Sequence, residues 1–290
     1  MAPAVDTFAR DRLPSAEALP EFVFDLPELR FPPRLNCAVD LLDRWVATGQ
    51  GHRRCLIGAE GTVWTYADLQ AQVNRIAHVL VQDLGLIPGQ RVLLRGANSP
   101  MLAACFLAVF KAGGIAVGTM PLLRAQELTT IIDKAQIGLA LCDARLADEL
   151  QTAQARAPQL KTVLHFNGGE GSPLETAAAA QPATFDPADT AADDICLMAF
   201  TSGTTGQPKA AMHFHRDVMA ACACWPPYVL RATADDVFIG SPPLAFTFGL
   251  GGLLVFPMAI GAATVLLEKA SPDILPAAIA RHRATVLFTA

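Results

Sequence analysis

Short apolar runs alternate with helix-patterned segments from residue 62 almost to the end of the chain. An apolar run too short for a helix buries best as a strand. A helix between two such strands lets them lie parallel in one sheet. The rhythm places strands at 62–65, 91–95, 115–118, 138–142, 161–166, 195–200, 237–239, 263–267 and 285–288. Helices are expected at 36–49, 126–134, 144–156 and 271–282, with further ones opening at Asn98-Ser99-Pro100 and near His215. The clearest helix carries Leu69, Val73, Ile76, Leu80, Val81 and Leu84 on one face, with Thr65 as N-cap and Gly85 as stop. The fold class that follows is α/β, with strands and helices in layered, largely parallel sheets. Residues before about Pro33 read as irregular, 167–194 reads as loop, short helix and linker, and no internal repeat is evident.

Composition narrows the function. Hydrophobic residues make up 52% and charged residues 17%, which supplies a core and excludes global disorder. The formal net charge of −5 argues against a nucleic-acid partner, which would need a basic surface. Seven scattered cysteines, mostly in apolar runs, read as buried free thiols of a reducing compartment. With no apolar signal region near the start, a cytoplasmic protein is the expectation. No charge occurs from Val237 to Leu267, a stretch long enough to cross a bilayer. Pro242, Pro243 and Pro257 with Gly240, Gly249, Gly251, Gly252 and Gly261 break it, so buried strands and a helix are expected and no membrane partner.

The chemistry concentrates in Thr201-Ser202-Gly203-Thr204-Thr205-Gly206-Gln207-Pro208-Lys209, directly after an apolar strand. Gly203 and Gly206 allow backbone N–H groups to approach an anion, four hydroxyls add donors, and Lys209 adds a point charge. This suits a polyphosphate. Lysine is scarce here, with only Lys111, Lys134, Lys161, Lys209 and Lys269, so one inside such a segment is informative. The spacing is not that of a Walker A loop, and Gly249-Leu250-Gly251-Gly252 lacks the last glycine of a dinucleotide fingerprint. His213 and His215 precede Cys222 and Cys224, but residues two apart on a helix diverge, so no metal site is expected there. Asp193-Asp194 and Asp235-Asp236 read as turn residues before strands. No nucleophile elbow or catalytic triad is readable.

The 201–209 segment resembles the phosphate-binding signature of the acyl-adenylate-forming, AMP-binding superfamily. The likeness continues through Thr65–Leu69 with Asn74–Ala77, Leu86–Val92 and Lys111–Gly114, and departs at Ala210, where glycine is commoner. Pro242–Gly252 is similar to the substrate segment of aryl-CoA ligases. With Asp6–Arg10 and Met120–Arg124 it looks nearest to 2-aminobenzoate–CoA and benzoate–CoA ligases. The resemblance implies the N-terminal part of the large domain of such an enzyme over residues 1–290. It implies activation of an aromatic acid by ATP to an acyl-AMP, then transfer to coenzyme A as cosubstrate.

Thr201, Ser202, Gly203, Thr204, Thr205, Gly206 and Lys209 would bind the ATP phosphates, with Thr204 near Mg2+. Phe246, Thr247, Phe248 and Gly249 would line the acid pocket, with His215 near it. The family's magnesium-site loop, ribose-binding aspartate, hinge and mobile C-terminal domain with its lysine have no counterpart in the sequence. The expectation is therefore a truncated chain that does not complete thioester formation alone. Two alternatives stay open: a non-catalytic nucleotide- or acid-binding remnant, and an acyl-CoA synthetase for non-aromatic acids.

Overall fold

The computed structural model describes residues 5–59, 61–201 and 208–289. Two sheets form. The first contains β1 (Arg54–Gly58), β2 (Val63–Thr65), β9 (Val237–Gly240), β10 (Ala263–Leu266) and β11 (Val286–Phe288), in the order β11-β9-β10-β1-β2. The second contains β3 (Arg91–Arg95), β4 (Ile115–Thr119), β5 (Leu139–Asp143), β6 (Thr162–Phe166), β7 (Ile195–Thr201) and β8 (Lys209–Phe214), in the order β6-β5-β3-β4-β7-β8. All neighbours are parallel except β1/β2 and β7/β8.

The helix Pro100–Lys111 explains the layering. Ser99 caps it by accepting the Leu102 N–H at 3.2 Å, and Pro100 sits where no N–H is needed. Every residue from Met101 to Lys111 is buried. A helix apolar all round must be covered on all sides, and this one packs on β1 of the first sheet and on β3 and β4 of the second. Helices Ala125–Ala135 and Ala147–Arg156 cover the second sheet's other face with Leu128, Ile132, Leu150 and Ala153. Leu275, Ala278 and Ile279 of helix Leu275–His282 cover the first sheet.

The expected strands and helices form, with two additions. β1 is a short run behind two arginines, and β8 is an antiparallel edge strand where only loop leading into a helix was expected. The 65–85 helix forms over Tyr66–His78 and continues as a wider-pitched turn over Val79–Asp83, capped by a reciprocal Thr65–Asp68 box. The 167–194 stretch holds a helix at Pro173–Ala179. Its far end is tied down: Thr190 accepts the Leu35 N–H at 3.0 Å and donates its hydroxyl to the Leu35 carbonyl at 2.7 Å. The 237–267 run becomes β9, a helix broken into short turns over Thr247–Ala259, and β10. No helix among the described residues is long and apolar enough to cross a membrane. The seven cysteines are free thiols, six of them buried.

Candidate active site

In a parallel sheet, binding crevices open at the carboxyl ends of strands where the strand order reverses. In the second sheet the chain leaves β3 for β4 on one side and then crosses to β5 on the other. A cleft of about 530 Å³ opens there, lined by Asn98, Met120, Pro121, Leu122, Arg145 and, from the first sheet, Ser241, Pro243 and Glu268. An adjoining cleft of about 480 Å³ shares Asn98, Arg145 and Glu268 and extends to Gly58, Trp64 and Asn167.

Two buried side chains shape this mouth, and neither was legible in the sequence. Arg95, 1% exposed at the end of β3, donates to the carbonyls of Met120, Pro121, Leu123 and Leu146. One guanidinium thereby fixes the loop after β4. Asn98, also buried, donates to the Pro242 carbonyl at 3.0 Å and accepts the Leu244 N–H at 2.8 Å. It clamps the start of the Pro242–Gly252 segment to the end of β3. Gly118 of β4 completes the seat: a Cβ there would lie 3.0 Å from Ala245 Cα. The segment thus crosses the carboxyl ends of β3 and β4.

The clamp leaves side chains of that segment outward. Phe246 is 42% and Phe248 47% exposed, Thr247 between them is exposed, and the Phe248 ring stacks at an angle on Phe288 with centroids 5.5 Å apart. These phenylalanines are not core residues. Gly249 is buried where a Cβ would meet the Pro243 carbonyl oxygen at 2.1 Å, so only glycine closes this turn.

The 201–209 segment begins one strand away. β7 pairs with β4, and its last residue, Thr201, is the cross-strand partner of Lys209. Both are exposed. Ser202, Gly203, Thr204, Thr205, Gly206 and Gln207 lie outside the described residues. Lys134 donates to the Pro208 carbonyl at 2.6 Å and anchors the returning arm. The ends of the segment are therefore pinned as a hairpin on the sheet edge that also carries the Pro242–Gly252 segment.

A charged bridge spans the cleft. Arg145 donates to both carboxylate oxygens of Asp143 at 2.6 and 2.9 Å, and to both of Glu268 at 2.8 Å. It joins the end of β5 to the chain just past β10, hence one sheet to the other. Burial alone would raise the Asp143 pKa, but hydrogen bonds from Arg145 and Asn167 hold it below the usual carboxylate value. A depressed folded-state pKa contributes stability above the unfolded value, near 4, that is lost as pH falls through the lower folded value. Asp143→Asn is expected to cost about 1–3 kcal/mol at neutral pH, with the gap to wild type narrowing at about pH 3. Urea unfolding at both pH values checks this, and an unchanged gap would mean the carboxylate is not the stabilising form.

His215 lies elsewhere. It opens helix His215–Cys224 immediately after β8, at the end of the hairpin opposite Thr201 and Lys209. Five residue steps of strand run from Cys196 to Thr201, about 16 Å. The His215 ring is 1% exposed; its Nδ1 accepts the Cys37 N–H at 3.2 Å and sits 3.2 Å from Cys37 Sγ. It is brought together with Cys37 and Cys196, not with Phe246 and Phe248. Cys222 is buried and Cys224 half-buried, as divergent positions on the helix dictate.

The layered α/β frame has counterparts among known proteins. The model of the AMP-binding enzyme family matches residues 42–290, and the chain belongs to that family. The benzoate–CoA ligase of Thauera aromatica is 28% identical over 263 residues, which is 90% of this chain and 50% of that protein. The anthranilate–CoA ligase of Pseudomonas aeruginosa is 32% identical over 226 residues, covering 75% of this chain and 41% of that protein. The crystal structure of the anthranilate CoA ligase AuaEII in complex with anthranoyl-AMP superposes with a TM-score of 0.84 at 26% identity, covering 90% of this chain and 50% of that one. The chain spans about half the length of the relatives it matches.

Proposed function

We propose that the protein carrying this chain is an aryl-acid–CoA ligase, and that this chain supplies its acid-binding wall and phosphate hairpin. An aromatic carboxylate of the benzoate or 2-aminobenzoate type would attack the α-phosphorus of ATP, giving acyl-AMP and pyrophosphate. The thiol of coenzyme A would then take the acyl group and release AMP. The single observation that carries the proposal is the shared edge. The Pro242–Gly252 segment rests on Asn98 and Gly118 at the ends of β3 and β4, and the Thr201/Lys209 hairpin ends on the next strand. An acid and a triphosphate held there would lie side by side.

In this proposal the 201–209 segment holds the β- and γ-phosphates and offsets charge building on the leaving pyrophosphate. Magnesium would arrive with ATP as part of that substrate, with Thr204 near it. Phe246 and Phe248 would offer ring faces to the aryl group, with Thr247 and Gly249 setting the space between. His215, buried against Cys37, is left out of the acid pocket. Aryl-CoA formation from benzoate, 2-aminobenzoate and short alkanoates tests the proposal, and thioester formed only from alkanoates would reject the aromatic class.

Thr247→Phe tests the wall itself. A bulky ring at this exposed position is expected to cut use of ring-substituted acids about tenfold or more relative to small acids, because a pocket rejects by overlap. An unchanged ranking of the same panel would place acid selection elsewhere.

A further inference from the structure

We propose that Cys37, Cys196 and His215 form a binding site for one soft divalent cation of the zinc type, separate from the nucleotide- and acid-binding edge. Their ligand atoms all lie within 4.8 Å of one another, and all three residues are buried. Around a tetrahedral zinc ion, sulfur and nitrogen ligands sit about 3.6 Å apart. His215 Nδ1 and Cys37 Sγ are already 3.2 Å apart. The His213 carbonyl oxygen, 3.6 Å from Cys196 Sγ, is an oxygen beside the cluster, and the fourth position would fall to it or to water.

Charge favours a divalent ion. Two thiolates and a neutral imidazole around one such ion make an assembly of zero net charge, which an apolar interior accepts far better than an isolated ion. Binding releases the two thiol protons to solvent. It also takes the Nδ1 lone pair from the Cys37 N–H, so one backbone hydrogen bond is exchanged for a metal bond.

The ligands come from three chain segments: the one opening the first helical stretch, the start of β7, and the first residue of the helix after β8. Sequence spacing gives no sign of such a site, and it assembles only as the chain folds. The bound ion would pin the N-terminal segment to the base of the hairpin whose other end carries the phosphate segment.

The test uses the reduced, metal-stripped chain titrated with Co2+ alone and then Zn2+ alone. Expected is one Co2+ per chain with a thiolate-to-cobalt charge-transfer band, displaced by Zn2+. Affinity should fall more than about tenfold in Cys37→Ala, Cys196→Ala and His215→Ala and hold in Cys105→Ala, whose thiol lies in the central helix. Should the variants not fold, the zinc-edge absorption spectrum of the wild-type chain decides. Two sulfur neighbours and at least one nitrogen support the site. A first shell without two sulfurs, no charge-transfer band in folded wild type, or equal binding by folded Cys37→Ala and Cys196→Ala would overturn it.

Discussion

Lys209→Ala, in the protein that carries this chain, is expected to slow acid-dependent ATP–pyrophosphate exchange by roughly a hundredfold, about 3 kcal/mol on the scale of one lost transition-state donor. Lys209 is exposed, faces Thr201 across the hairpin and is followed by a strand that holds it in register. It is not spent on an ion pair among the described contacts. In the proposed reaction charge grows on the leaving pyrophosphate as the α-phosphorus is attacked, so an ammonium there would gain more in the transition state than in the bound substrate. Thr204→Val should act in the same direction through its lost hydroxyl. Unchanged exchange in both variants would remove the segment from the reaction.

Lys111→Met is expected to lower stability by about 3 kcal/mol while leaving the Thr201/Lys209 hairpin intact. Lys111 is 1% exposed at the end of the central helix. Its ammonium lies 2.7 Å from Asp43 and also donates to the Asn74 side-chain oxygen. Burial lowers its pKa, and the Asp43 carboxylate opposes that shift. Removing one partner of a buried pair leaves the other charge stranded. Gln70 still donates to Asp43 at 2.8 Å, which keeps the loss at the lower end. The melting temperature should fall by roughly 6–12 °C, and Asp43→Asn combined with Lys111→Met should recover part of it. A single variant that melts with wild type would show that the pair contributes nothing net.

These two lysines show what a sequence discloses. Lys209 was legible because hydroxyls and glycines cluster around it within nine residues. Lys111 sits before Ala112-Gly113-Gly114 and could be placed only by resemblance, since its partner Asp43 is 68 residues away. Separation in sequence likewise hid Asn98 and Arg95, whose partners lie 25 residues or more away. Asn98 read as a helix-opening residue, yet its two hydrogen bonds reach the segment 144 and 146 residues on. β3, β4, β5 and β7 were readable because parallel strands covered on both faces are apolar throughout. β8 was not, because an edge strand is only half covered and its apolar run is just Ala210-Ala211-Met212 between Lys209 and His213. His215 stands six residues from Lys209, so proximity in sequence suggested the site. A strand between them carries it to the other end of the hairpin.

Acid-dependent ATP–pyrophosphate exchange by the protein carrying this chain is the most direct test that the hairpin and the aromatic segment serve one reaction. The expected result is exchange that requires an aromatic acid, with benzoate or 2-aminobenzoate supporting it at least about tenfold better than a short alkanoate, and with 2-aminobenzoate losing that preference in Thr247→Phe. Exchange independent of added acid, or faster with alkanoates in the wild-type protein, would contradict it.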